Sequence, residues 1–134
     1  LNEDLILYIP DENDIILYGP YLSLSKGRYR FKLELKVPNE LMNKLYIDVI
    51  SENCSFSILK KRLIKQEEIK QGYINQELIL NKYNANIEIR IHYINGLQKK
   101  RNNLKSLFQK RKIYAENQKL YITVSKLTIS FERP

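Results

Sequence analysis

The chain has 134 residues and a mass of 16.0 kDa, enough for one domain with a real core, and 43% apolar residues with only four Gly and four Pro exclude a linker or a disordered tail. One cysteine and one histidine, Cys54 and His92, exclude an internal disulfide and argue against a zinc centre, while no run approaches the roughly 20 apolar residues of a membrane span and no secretory leader opens the sequence. The net charge of +8 is uneven: residues 96–119 hold eight Lys and Arg against the single acid Glu116, which is +7 of the total, and the 18 Ile, 16 Lys and 13 Asn against two Ala have the bias of an AT-rich genome, so the lysine excess alone says little about partners.

Residues 5–10 and 14–24 are apolar and β-prone, separated by the polar turn Asp11, Glu12, Asn13, and the second stretch is interrupted at Gly19 and Pro20. After a turn at Ser25, Lys26 and Gly27, the residues Tyr29, Phe31, Leu33, Leu35 and Val37 alternate with Arg28, Arg30, Lys32, Glu34 and Lys36, which predicts a strand with one buried and one charged face. Pro38 and Asn39 end it. Leu45, Ile47 and Val49 alternate with Tyr46, Asp48 and Ile50 in a second clear strand. Cys54, Phe56 and Ile58 share one parity, so Cys54 is expected to be a buried structural thiol rather than a nucleophile.

Residues 60–72 are expected to be a strand end plus loop, although Leu63, Ile64 and Ile69 would also suit a short helix. A short strand follows at Leu78 and Leu80, and Ile87, Ile89, Ile91 and Tyr93 alternate with Glu88, Arg90 and His92. From Gly96 the alternation stops. A basic insertion over 97–118, either a short amphipathic helix, an extended tip or a mobile segment, separates two strands that would otherwise form a hairpin. In the last strand Leu120, Ile122 and Val124 have one parity and Leu127, Ile129 and Phe131 the other, which predicts a bulge near Ser125 and Lys126. Strands recurring every 8 to 12 residues or so, with too little helical pattern for βαβ units, give an all-β fold of one domain over 1–134.

The run 17–31, containing Tyr18, Gly19, Pro20, Tyr21 and then Gly27, Arg28, Tyr29, resembles the opening of the carbohydrate-binding-module-like β-sandwich domains found beside glycosyltransferase domains in bacterial surface-polysaccharide proteins. Residues 45–49, 87–91 and 120–131 are similar, in order, to that family's later strands. The resemblance covers about residues 14–95 and 119–131; the insertion and the absence of Trp depart from it. It implies a jelly-roll-like antiparallel sandwich that is part of a larger cytoplasmic protein. The implied role is a non-catalytic carbohydrate-binding accessory domain in polysaccharide biosynthesis, with a neighbouring glycosyltransferase domain as a partner. Physics alone gives the motif a structural reading too, in which Gly19 bends the strand, Pro20 protects an edge and the tyrosines pack over the rim.

No nucleophile elbow, P-loop, dinucleotide fingerprint or zinc-protease motif occurs, so an enzyme is not expected; a glycosidase-like carboxylate pair among Glu34, Asp48 and Glu88 is open to sequence reasoning but nothing points to it. Sugar recognition needs aromatic platforms bracketed by charged groups, and Arg30, Tyr46, Asp48, Glu88, Arg90 and His92, with Glu34, share the non-core parity of their strands. These are the candidate carbohydrate-binding residues, expected to be exposed, so that removing Arg90 and Asp48 together would leave the melting temperature nearly unchanged. The alternative is a solvated face crossed by ion pairs. No cofactor is expected; the turn Asp11, Glu12, Asn13, Asp14 falls short of the six to eight oxygens of a calcium cage. For the insertion, a solvated loop in a lysine-rich chain is the leading reading and nucleic acid is a disfavoured partner; an anionic membrane surface at the inner face of the membrane or a neighbouring domain is the runner-up function, as a docking role without sugar.

Overall fold

A computed structural model describes residues 4–51, 57–95 and 120–132. Cys54 and the basic insertion lie outside these residues. Among the described residues nine strands form two packed antiparallel sheets: β1 (Leu5–Tyr8), β2 (Asp14–Leu17), β3 (Pro20–Leu24), β4 (Gly27–Lys36), β5 (Leu45–Ile50), β6 (Ser57–Leu63), β7 (Tyr73–Leu80), β8 (Asn84–Tyr93) and β9 (Tyr121–Glu132). The first sheet has the order β1-β9-β4-β7, and the second has β2-β8-β5-β6 with β3 also on β8, beyond β2 along the same edge. That is the order of a jelly roll in which β2 and β3 share one strand position. The fold is an all-β sandwich, as the alternation predicts.

The core sits where the parity places it. Phe31, Leu33 and Leu35 of β4, Ile74 and Leu78 of β7 and Ile122 of β9 face Leu45, Ile47 and Val49 of β5 and Ile87, Ile89 and Ile91 of β8, all of them buried. The predicted bulge is present: between Glu34 and Leu35 of β4, β9 carries the extra residue Ser125, whose hydroxyl donates to the Glu34 carbonyl at 3.3 Å. Flipping the parity there keeps both Val124 and Leu127 on the inner face.

Two expectations need correction. Residues 60–72 are not strand end plus loop alone: β6 runs on to Leu63, and a helix, α1 (Gln66–Gln71), follows. Its start is held by Glu68, whose carboxylate accepts from the Lys65 backbone N–H at 2.9 Å and from Nη1 and Nη2 of Arg62 at 2.8 Å. Its end is closed by Gly72 at φ 89°, in the left-handed region that glycine adopts without a Cβ penalty. A six-residue helix with Ile69 as its one buried apolar side chain leaves too short a periodic pattern to read.

The second correction concerns the strands flanking the insertion. β8 and β9 cannot be the two arms of a hairpin, because they belong to different sheets. Two of the crossings between the sheets at this end run through residues 9–13 from β1 to β2 and through residues 94–120 from β8 to β9. The short crossing is bonded to both ends of the long one: Ile9 N–H donates to the Leu120 carbonyl at 3.2 Å and Asn95 N–H to Asn13 Oδ1 at 2.7 Å. Five residues reach at most about 15 to 18 Å, so a span of that size is all that connecting β8 to β9 requires. Replacing residues 96–119 by a Gly-containing linker of about six residues should therefore keep a single cooperative thermal transition, since loop length changes stability only weakly. Loss of cooperativity in calorimetry would show instead that Leu104, Leu107 or Phe108 supplies core.

Candidate functional site

The register of the second sheet decides which candidate residues meet. Asp48 of β5 lies directly across from Arg90 of β8, Tyr46 across from His92, and Ile50 across from Glu88. All six point away from the core, so one face carries five of the candidates. Arg30, the sixth, is elsewhere: it projects from the outer face of the first sheet, where it pairs with Glu132 at 3.0 Å and with Asn75 at 3.1 Å. Glu34 shares that opposite face, so no carboxylate pair forms between it and Asp48 or Glu88. Parity separates inside from outside, and a sandwich has two outsides.

At the centre of the face, Asp48 is 5% exposed and His92 7%, against the expectation that both are open to solvent. The Asp48 carboxylate is bracketed. Its Oδ1 accepts from Arg90 Nε at 3.0 Å and its Oδ2 from Arg90 Nη2 at 2.7 Å, while His92 Nε2 lies 3.0 Å from Oδ1. An ionised carboxylate only accepts, so Nε2 of His92 carries the proton it donates here. Burial pushes the Asp48 carboxyl up, but the hydrogen bonds from Arg90 and His92 and their electrostatic attraction together outweigh it and hold the group below the usual carboxylate value. β5 is flanked by β6 and β8, so side chains from β8 close over Asp48 as they would not over a residue at a sheet edge. Asp48 therefore orients the guanidinium of Arg90, whose side chain remains 19% exposed, and Asp48 itself is not a surface for ligand.

The aromatic group beside these charges is one that parity of the long strands does not reveal. Pro20 of β3 pairs with Glu88 of β8, and this brings Tyr21 to the Glu88 side chain. Tyr21 is 54% exposed; partial desolvation of its hydroxyl, the Glu88 charge and a hydrogen bond to the Glu88 carboxylate raise its pKa. Tyr18 is 60% exposed, so both tyrosines of the motif keep more than half of their surface in solvent. Gly19, between them, has φ 127°, a conformation that side-chain-bearing residues rarely adopt, and its carbonyl accepts from Ile89 N–H at 2.7 Å. The signal for Tyr21 is present in the sequence as Tyr18, Gly19, Pro20, Tyr21, but its partner Glu88 is fixed by a pairing between strands some seventy residues apart.

No protein-family model, curated protein or solved structure matches the chain. Among the described residues no group of three or more His, Cys, Asp or Glu is placed to hold a metal ion, and no helix is long and apolar enough to cross a membrane. In the acidic turn, Asn13 accepts from Asn95 N–H and Asp14 Oδ1 from Ile15 N–H at 2.8 Å, so two of its oxygen-bearing side chains already serve the fold.

Proposed function

We propose that this sandwich is a non-catalytic carbohydrate-binding accessory domain of a cytoplasmic bacterial polysaccharide-biosynthesis protein, working beside a glycosyltransferase domain. The observation that carries the reading is the exposed Tyr21 ring next to Glu88, with the half-buried Arg90 one pair further along β8 and Tyr46 across from His92 on the same face. A ring that stays open to solvent offers a platform for the apolar face of a pyranose, and a carboxylate and a guanidinium beside it bracket hydroxyls. The resemblance at residues 17–31 points the same way.

A glycan array on the domain tests it, followed by titration of the best ligand into variants. Tyr21→Ala and Glu88→Gln should each weaken binding at least tenfold, with a melting temperature close to that of the parent because neither group is buried. Unchanged affinity in the double variant would remove the assignment of this face. The second reading, docking to a partner domain or an anionic membrane without sugar, is favoured by the crossing from β8 to β9, which is far longer than its end-points require and carries +7. It predicts that affinity for vesicles containing phosphatidylglycerol falls steeply with salt and disappears when residues 96–119 are replaced.

A further inference from the structure

Where β2 gives way to β3 the edge of the second sheet is open, and a cavity of about 170 Å³ enters the sandwich there between the two sheets. Tyr18, Gly19 and Pro20 form its edge side, Ile89 its wall in the second sheet, and Val124 and Leu127, which flank the Ser125 bulge, its wall in the first. Two irregularities flank the space. Gly19 lies on one side of it without a side chain, and the Ser125 bulge lies on the other between the lining residues Val124 and Leu127. The lining is almost wholly apolar, so the cavity has no partners to offer water, and an apolar cavity of about 150 Å³ is large enough for a benzene ring.

The mouth is different in character. A Cβ on Gly19 would stand 3.9 Å from Cε2 of Tyr21, so the Tyr21 ring lies against the edge of the opening, and Pro20, beside it in the chain, pairs with Glu88. An apolar interior thus meets an edge that carries Tyr18 and Tyr21, with Glu88 on the strand paired to it. We infer that this slot binds the apolar end of an amphiphilic ligand, a short alkyl or acyl chain or a single ring, whose hydroxyl-bearing part lies on Tyr21 and Glu88. It rests on the glycan reading only for the hydroxyl-bearing part, which would then be a sugar carrying an alkyl or acyl substituent.

The test uses 1-hexanol, methyl β-glucoside and hexyl β-glucoside, each titrated into the isotope-labelled protein and followed by amide chemical shifts. Hexanol should shift the amides of Gly19, Ile89 and Val124 saturably, and hexyl β-glucoside should bind at least tenfold more tightly than methyl β-glucoside. Val124→Phe fills the slot and should abolish both the hexanol shifts and the tenfold difference; Leu127→Phe serves as a second filler should the first not fold. Absence of saturable hexanol shifts at those three amides in the parent protein overturns the inference whatever the sugars do, and so does a chain-length advantage that survives in a folded filler variant. Hexanol binding without any glycan response on the array supports the slot while removing the glycan reading, so the two fail separately.

Discussion

Asp48→Ala is expected to destabilise the domain by about 3 kcal/mol, measured as the loss of unfolding free energy in urea. Breaking a buried ion pair by removing one partner typically costs about 3 to 5 kcal/mol because the surviving charge stays buried, and the low end applies here because Arg90 keeps part of its side chain in water. The effect should depend on pH with a definite sign. The folded carboxyl lies below its ordinary value, so its contribution is full above the unfolded value of about 3.8 and drains away as pH falls through the folded one. The deficit of the variant relative to the parent should thus be complete near neutrality and shrink in acid. A double variant, Asp48→Leu with Arg90→Met, should be less destabilised than the sum of the two single changes, since it leaves no orphaned charge. If Asp48→Ala instead melts with the parent, the carboxylate is not the structural centre of the face, and direct contact with ligand becomes its role.

The second large effect belongs to the core side of β4. Phe31 has no exposed surface, and Phe31→Ala should cost about 3 to 5 kcal/mol, the transfer of the ring plus the cavity it leaves between the sheets. Arg30→Ala, one residue away on the outer face, should cost less than about 1 kcal/mol, because its pair with Glu132 is solvent-exposed. A chevron or equilibrium denaturation series on the two variants measures the contrast directly; comparable losses would mean that the outer face of the first sheet is packed against something.

The alternation of β4 was readable because a strand with one wet face writes its own parity, and β9 even shows its bulge as a change of parity at Ser125. The same rule explains what stayed hidden. Arg30 and Arg90 occupy equivalent positions in equally clear patterns, yet they lie on opposite outsides of the sandwich, because parity carries no information about which sheet a strand joins. Asp48 reads as exposed for the same reason: burial on an outer face is set by neighbouring strands, here by Arg90 and His92 from a strand some forty residues later. Tyr21 meets Glu88 only through the β3–β8 pairing. Non-local pairings of this kind leave no local trace, and the candidate site is built from them.

The position of β9 has a consequence for biosynthesis. This strand, the last one described, lies in the interior of the first sheet, between β1 and β4, and among the described residues β1 pairs with β9 alone. As the ribosome delivers the chain at about 5 to 20 residues per second, β1 emerges first and must wait for nearly the whole domain before its hydrogen-bonding partner exists. During that wait the apolar stretch Leu5–Tyr8 is an unpaired edge capable of adding to any other open strand, the hazard that topologies dominated by distant contacts carry while they fold slowly. A ribosome stalled before residue 120 would hold a half-made sheet with its middle missing, and the nascent β1 would be the segment left without its partner strand.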